Sequence, residues 1–186
     1  MYTYNRIIEL VDTNIMYCLP AMLLTLMLLQ PLFKDPKPFP SIYKAIKWVI
    51  IIYACINVLD FVYNLIFAEG YKNVIHRATG AYKILYVLML FSAVLLPFSV
   101  LYKKLGRLPV YLFFISIVMK AGWYFERFVI ITTSFHRDYW VQEESSWWLS
   151  PWNAFYLTWI QGVVLAFTAL IVSVLYHNCK VRKSKV

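Results

Sequence analysis

The stretch from Ala154 to His177 reads AFYLTWIQGVVLAFTALIVSVLYH and contains no aspartate, glutamate, lysine or arginine. About 20 apolar residues suffice to cross the hydrocarbon core of a bilayer as an α-helix, which satisfies its backbone hydrogen bonds internally. Four further stretches qualify by the same test, so the five predicted spans are about 14–33, 48–68, 81–102, 110–135 and 154–177. The sequence therefore predicts an all-α, polytopic membrane helix bundle that forms a single membrane domain over residues 1–186.

The overall composition points to the same class of protein. Hydrophobic residues make up 62% of the 186 residues and charged residues 15%, against about 45–50% and about 25% in soluble domains. A chain this apolar is not disordered, and a globular fold of this size could not bury so much hydrophobic surface. The net charge of +9 does not indicate nucleic-acid binding, because the basic residues lie in the short segments between the apolar runs.

Basic residues are concentrated on one predicted side of the membrane. Eleven of them follow the first, third and fifth spans: Lys34, Lys37, Lys44, Lys47, Lys103, Lys104, Arg107, Lys180, Arg182, Lys183 and Lys185. The positive-inside rule puts this side in the cytoplasm, so the N-terminus is expected outside and the C-terminus inside. The outer loop over residues 136–153 is rich in tryptophan. It indicates either an aromatic anchor at the membrane surface or a docking surface for an outer partner.

Polar residues interrupt the apolar pattern of the second span. Asn57, Asp60 and Asn64 are spaced by three and four residues, so they share one helix face, which Tyr53 and Tyr63 extend. A charge at mid-bilayer costs at least about 2.5–3.5 kcal/mol and therefore needs a partner or a purpose. The stripe is equally compatible with interhelical hydrogen bonds that fix packing and with a proton relay or the wall of a quinone pocket.

The fourth span carries three charged residues, Lys120, Glu126 and Arg127. Lys120, Tyr124 and Arg127 have helical spacing, whereas Glu126 lies about 120° around the helix from Lys120. A pair between Lys120 and Glu126 is not expected, and partners on other helices, such as Asp60, fit better.

The fifth span adds a further polar face made by Thr158, Gln161 and Thr168. Three of the predicted helices thus offer polar stripes to a common interior. Facing stripes could carry protons or could simply hold the helices together.

The sequence offers no cofactor site of its own. His76, His136 and His177 lie at span ends or in loops, whereas haem in a membrane bundle takes axial histidines within helices. The three cysteines are far apart, and no cluster of ligands has the spacing of a metal site. No nucleotide-binding loop or nucleophile–base pair is present. Neither a catalytic residue nor a metal ligand is therefore predicted. Any redox chemistry of this protein is expected to proceed without a cofactor ligated by its own residues.

The most distinctive stretch runs from Trp123 to Asp138 and reads WYFERFVIITTSFHRD. It resembles the E-R-F-V-I-I-x-T-S-x-H-R-D stretch of the NrfD-like, or polysulfide reductase membrane-subunit, family. Within that family it is most similar to the C-terminal half of the quinone-interacting subunit of bacterial alternative complex III. Shorter stretches resemble that subunit in the same order along the chain: Ala21–Met27, Leu59–Phe61 and His76–Tyr82.

The resemblance implies a subunit of a respiratory quinol:electron-acceptor oxidoreductase in the bacterial inner membrane, with iron–sulfur and haem c partners on the outer face. It covers only half of that subunit, and the family's quinol site is generally in the other half. The implied role is therefore anchoring, completing a quinone pocket between subunits, or proton conduction, and not catalysis by this chain alone. The implied proton-relay residues are Asp60, Glu126, His136 and Asp138, with Lys120, Arg127 and Arg137 as charge partners.

Two other functions remain open on the sequence. One is a non-redox scaffold or assembly subunit that keeps the fold and has lost the quinone chemistry. The other is a small transporter that pairs as a dimer of halves, which predicts Gly/Pro breaks in paired positions. Only Pro20, Pro31 and Pro97 approach that pattern, so the transporter ranks last.

Overall fold

The computed structural model describes residues 9–33, 36–67, 83–122 and 151–183, together with Arg6, Thr79 and Tyr124. All regular elements in this part of the chain are helical, which confirms the all-α prediction. The α-helices are α1 (Leu19–Leu29), α2 (Pro38–Phe67), α3 (Lys83–Val94), α4 (Pro109–Met119) and α5 (Pro151–Lys183). A π-helical turn, Asp12–Met16, precedes α1, and 3₁₀ turns lie at Gln30–Leu32, Leu96–Leu101 and Leu105–Arg107.

Three helical segments are long and apolar enough to cross a membrane: Glu9–Leu32, Pro38–Tyr63 and Phe155–His177. They correspond to the first, second and fifth predicted spans. The described parts of the other two are shorter apolar helices, Tyr86–Leu101 and Pro109–Met119. The chain is therefore a membrane protein with three candidate spanning helices among the described residues.

Helix α2 begins at Pro38, well before the predicted start at residue 48. Pro38 and Pro40 lie in its first turn, where the backbone nitrogens have no helical acceptor and proline costs little. Lys44 and Lys47 therefore lie on a helix and not in the predicted loop, which corrects the sequence analysis. Both lysines belong to the end of α2 that precedes its long apolar stretch.

Prolines also account for two other differences in helix bounds. The predicted span 81–102 divides into α3 and a 3₁₀ turn that contains Pro97. Proline donates no backbone hydrogen bond and its ring clashes with the preceding turn, so the α-helix ends before it. Helix α5 begins at Pro151, inside the predicted loop 136–153, because proline is well suited to the first helical position. The rest of that loop lies outside the described residues.

The first of two compact units comprises the described residues of Met1–Ile42 and Gly122–Val186, and in it α1 packs against α5. The closest approach is at Gly162 of α5. A Cβ atom there would lie 2.5 Å from the backbone oxygen of Cys18 and 2.6 Å from the Cβ of Ala21. One turn further along α5, Ala166 is fully buried. Small residues at four-residue spacing let membrane helices approach closely, and this seam has that pattern.

The outer face of α5 is apolar and exposed. Side chains at helical spacing along this face are each between 48% and 59% exposed: Ile160, Val164, Phe167, Ile171 and Leu175. In water such a face would be unfavourable, since large apolar patches are rare on soluble proteins. In a bilayer the same face contacts lipid, so its exposure agrees with a membrane-spanning α5.

The second compact unit spans Tyr43–Ala121. Its core contains buried side chains from α2 and α4, among them Ile50, Ala54, Leu112 and Ile115. The hydroxyl groups of Ser99 and Tyr111, 2.6 Å apart, join the 3₁₀ turn Leu96–Leu101 to α4.

Hydroxyl side chains within the helices bond to their own backbone. Four of them donate to the carbonyl three or four residues earlier, at 2.7–2.9 Å between the oxygens: Thr25, Ser92, Ser116 and Thr168. Because hydrocarbon offers no water, a polar group in a membrane helix must find its partner within the protein. Among the described residues, no buried side-chain nitrogen or oxygen lacks a hydrogen-bond partner.

Candidate functional site

The candidate site begins with a helix break at Lys120. Helix α4 ends at Met119, and Lys120 has φ −111° and ψ 18°, outside helical values. Its backbone N–H donates to the carbonyl of Ile117 at 3.1 Å, which tightens the last turn. Gly122 follows closely, and glycine is a poor helix former. The predicted continuous span 110–135 is therefore interrupted at Lys120. Helical spacing then no longer implies that Lys120 and Tyr124 lie on the same helix face.

The break brings the Lys120 side chain to α2. The ammonium group donates a hydrogen bond to the Tyr53 hydroxyl, and Nζ lies 4.6 Å from the centre of the Tyr53 ring. Tyr53 is only 3% exposed, whereas Lys120 is half-buried. Hydrogen bonds to a charged donor are stronger than neutral ones, so the phenol oxygen offsets part of the cost of removing the ammonium from water. Lys120 thus has a partner on another helix, as expected, and Tyr53 is such a partner.

The predicted polar stripe on α2 is only partly reproduced. Asn57 and Asp60 are half-buried and lie on the same side of α2 as Tyr53. Tyr63 is 45% exposed and does not extend the stripe. Tyr63 follows Tyr53 by ten residues, which turns it by about 80° around the helix. The side chain of Asn64 lies outside the described part of the chain.

Asp60 follows Tyr53 by seven residues, or about 10 Å along the helix axis. One side of α2 in the second unit therefore carries the phenol of Tyr53, the amide of Asn57 and the carboxyl of Asp60. The ammonium of Lys120 lies against this side at Tyr53. All four groups carry exchangeable protons or accept them. The sequence does not predict Tyr53 as a partner of Lys120. The contact between these two side chains forms where the helix breaks at Lys120.

A separate polar contact lies in the first unit. The amide of Gln161 on α5 donates to the side-chain oxygen of Asn14 at 3.2 Å and to its backbone oxygen at 3.3 Å. The Tyr124 hydroxyl donates to the backbone oxygen of Tyr17 at 3.2 Å. Asn14 lies within the π-helical turn Asp12–Met16, and Tyr17 directly follows that turn. Gln161 therefore has a packing partner, which favours its structural role.

Thr168 does not continue the Gln161 face towards the interior. It is exposed, and its hydroxyl donates to the carbonyl of Leu165 at 2.9 Å. The predicted polar stripe of α5 therefore stops short of Thr168. The remaining predicted site residues lie outside the described part of the chain: Glu126, Arg127, His136, Arg137 and Asp138.

The described residues include few groups of the kind that ligate metals. Among these residues, no three histidine, cysteine, aspartate or glutamate side chains form a group that could hold a metal ion. The three cysteines are free thiols; Cys18 is buried, and Cys55 and Cys179 are exposed.

Comparison of the chain with protein-family models, with curated proteins and with solved structures gives no match. The fold and the site define a helical membrane protein with a lysine–tyrosine pair at a helix break.

Proposed function

We propose that the chain is an NrfD-like membrane subunit of a respiratory quinol oxidoreductase of the alternative complex III type, equivalent to the C-terminal half of the longer subunit. The observation that carries this proposal is the E-R-F-V-I-I-x-T-S-x-H-R-D pattern in residues 126–138. It occurs together with weaker similar stretches in the family's order. The apolar helices and their lipid-facing side chains support a subunit of a membrane complex.

The chain contributes a proton path and part of a quinone pocket, and does not oxidise quinol by itself. Asp60 is the central relay group because its carboxyl lies in the same sector of α2 as the Lys120–Tyr53 hydrogen bond. Lys120 acts as the charge partner in this scheme, because its ammonium is bonded to Tyr53 on the same side of α2 as Asp60. The same scheme assigns relay roles to Glu126, His136 and Asp138, and charge-partner roles to Arg127 and Arg137. The quinone binds at an interface with partner subunits, which include iron–sulfur and haem c proteins.

The test combines purification with turnover. The chain, purified with its native partners, is expected to co-elute with haem c and iron–sulfur subunits. In that complex, Asp60→Asn and Glu126→Gln are each expected to lower quinol oxidation and the linked proton release about tenfold, because an amide does not relay a proton. Glu9→Gln, which changes an exposed carboxylate outside the site, is the control and should leave turnover unchanged.

Two results separate the proposal from the scaffold alternative. If the chain elutes alone or with unrelated proteins, the redox assignment is wrong. If it elutes with the redox subunits but both variants keep full turnover and proton release, the chain is a scaffold of that complex and the relay is wrong.

The full topology of the proposal has five spans, with the N-terminus outside and the C-terminus in the cytoplasm of a bacterial inner-membrane protein. Eleven basic residues on one predicted side support this orientation. Cys179 provides a native probe of it, because this free thiol is exposed near the end of α5.

We expect a membrane-impermeant maleimide to label Cys179 in inside-out vesicles and to leave only background labelling in right-side-out vesicles. Maleimide reacts with the thiolate, which needs water, so buried Cys18 and membrane-embedded Cys55 should not react. Labelling should disappear in Cys179→Ser. Labelling of right-side-out vesicles with only background labelling of inside-out vesicles would reverse the assigned orientation.

A further inference from the structure

The second unit carries a concentrated basic cluster where α2 begins its apolar stretch and where α3 connects to α4. The cluster consists of Lys44, Lys47, Lys103, Lys104 and Arg107. All of these side chains are exposed except that of Lys47, which is half-buried. Three of them belong to the short connection between α3 and α4, and two belong to α2.

Gly106 brings the two parts of the cluster together. A Cβ atom on Gly106 would lie 2.9 Å from the ammonium nitrogen of Lys47 and 2.0 Å from the backbone oxygen of Val100. The absence of a side chain at Gly106 therefore leaves the space in which the Lys47 ammonium lies. Arg107 is the next residue, so α2 and the 3₁₀ turn Leu105–Arg107 present their positive charges at one place.

Among the described residues of the second unit, no carboxylate lies near this cluster. Asp60 is the single acidic residue in that part of the chain. It lies 13 residues after Lys47, which is about 20 Å along a helix. Attraction between charges that far apart is largely screened at physiological ionic strength. Five positive charges close together therefore attract an anion.

The residues next to the cluster identify the membrane surface as its surroundings. Trp48 and Tyr102 are exposed beside the basic residues, and these two residue types favour the boundary between lipid headgroups and hydrocarbon. Exposed Ile52 lies one turn beyond Trp48, and exposed Leu101 and Leu108 flank the connection. A ligand at this cluster thus meets positive charge at one end and apolar side chains at the other.

We propose that this cluster is a binding site for an anionic phospholipid such as phosphatidylglycerol. The phosphate binds at Lys47, Lys104 and Arg107, and the acyl chains lie against Ile52 and Leu108. A soluble anion would not use the exposed apolar and aromatic neighbours, whereas a lipid uses both. The proposal does not depend on a role in quinol oxidation, because it rests on residues outside the lysine–tyrosine site.

The test measures lipid preference of the full chain in nanodiscs of phosphatidylcholine that contain a trace of spin-labelled phosphatidylglycerol or spin-labelled phosphatidylcholine. The immobilised fraction in the electron spin resonance spectrum gives the relative association constant of the two lipids. We expect a clear preference for phosphatidylglycerol that Lys47→Gln and Lys104→Gln each lower about fivefold, because a basic residue near an anionic surface contributes about 1 kcal/mol. Lys83→Gln removes the same charge from an exposed site at the start of α3 and is the matched control.

The proposal would be overturned by the absence of a preference in the unmodified chain or by an equal decrease in the Lys83→Gln control. It would also be overturned, as a third outcome, by displacement of the labelled lipid by inorganic phosphate beyond that produced by chloride at equal ionic strength. The first two would mean that no local site exists, and the third that the site recognises a free anion. Retained preference in both Lys47→Gln and Lys104→Gln would also contradict it.

Discussion

Gly162→Val is expected to destabilise the first unit by about 3 kcal/mol, at the upper end of what overpacking usually costs. The first carbon of any side chain at this position would lie 2.5 Å from the Cys18 backbone oxygen and 2.6 Å from Ala21. Neither contact can be relieved by a rotamer change, because one partner is backbone and the other is a Cβ atom. Helices α1 and α5 would have to separate, and the close packing that holds membrane helices together would be lost.

The measurement is unfolding of the purified chain in mixed detergent micelles, followed by circular dichroism and tryptophan fluorescence. Gly162→Ala should fall between the parent chain and Gly162→Val, because a methyl group alone already meets Cys18. Val164→Leu changes an exposed, lipid-facing residue two positions away and should have no measurable effect. A Gly162→Val chain as stable as the parent would show that α1 and α5 do not approach as closely as described.

Tyr53→Phe is the second change with a large expected effect, a loss of about 2 kcal/mol. The substitution removes the phenol oxygen from the Lys120 ammonium, and a hydrogen bond to a charged group contributes about 1.5–3 kcal/mol. The ammonium then lies in a low-dielectric environment without that oxygen. Adding Lys120→Met to Tyr53→Phe removes the charge as well, so the double variant is expected to recover most of the lost stability.

A double-mutant cycle of these two residues isolates their coupling. The coupling free energy should be about 1–2 kcal/mol, because the pair interacts directly. Tyr176→Phe on the exposed side of α5 is the matched control and should be neutral. Additive effects of Tyr53→Phe and Lys120→Met would mean that the two side chains do not act as a pair.

The membrane character and the long helices could be predicted because a helix that crosses lipid needs about 20 consecutive apolar residues. The charge-free run from Ala154 to His177 can satisfy its backbone hydrogen bonds in a bilayer by forming an α-helix, and it does so in α5. The ends of the helices could not be predicted as well, because they depend on local chemistry. The first-turn prolines of α2 are compatible with either a loop or a helix start. The sequence pattern therefore places Lys44 and Lys47 in a loop, whereas both lie on α2.

The candidate site was predictable in its residue types and not in its pairing. The cost of a charge in hydrocarbon correctly indicates that Lys120 needs a partner on another helix. Helical spacing alone could not identify Tyr53, because the backbone leaves the helix at Lys120 and the spacing rule fails there. The Gln161–Asn14 contact was missed for a similar reason, since nothing in the pattern around Asp12–Met16 predicts a π-helical turn.

The serine and threonine hydroxyls that bond to their own helix have a mechanical consequence. The hydroxyl groups of Ser92 on α3 and Thr168 on α5 each donate their hydrogen bond to a backbone carbonyl in the preceding turn of the same helix. Neither therefore needs an acceptor on a neighbouring helix. A helix face of this kind can rotate or shift against lipid, or against a second protein, without breaking a polar bond. Neither hydroxyl therefore adds a polar bond that would fix these surfaces laterally, in contrast to the close packing at Gly162.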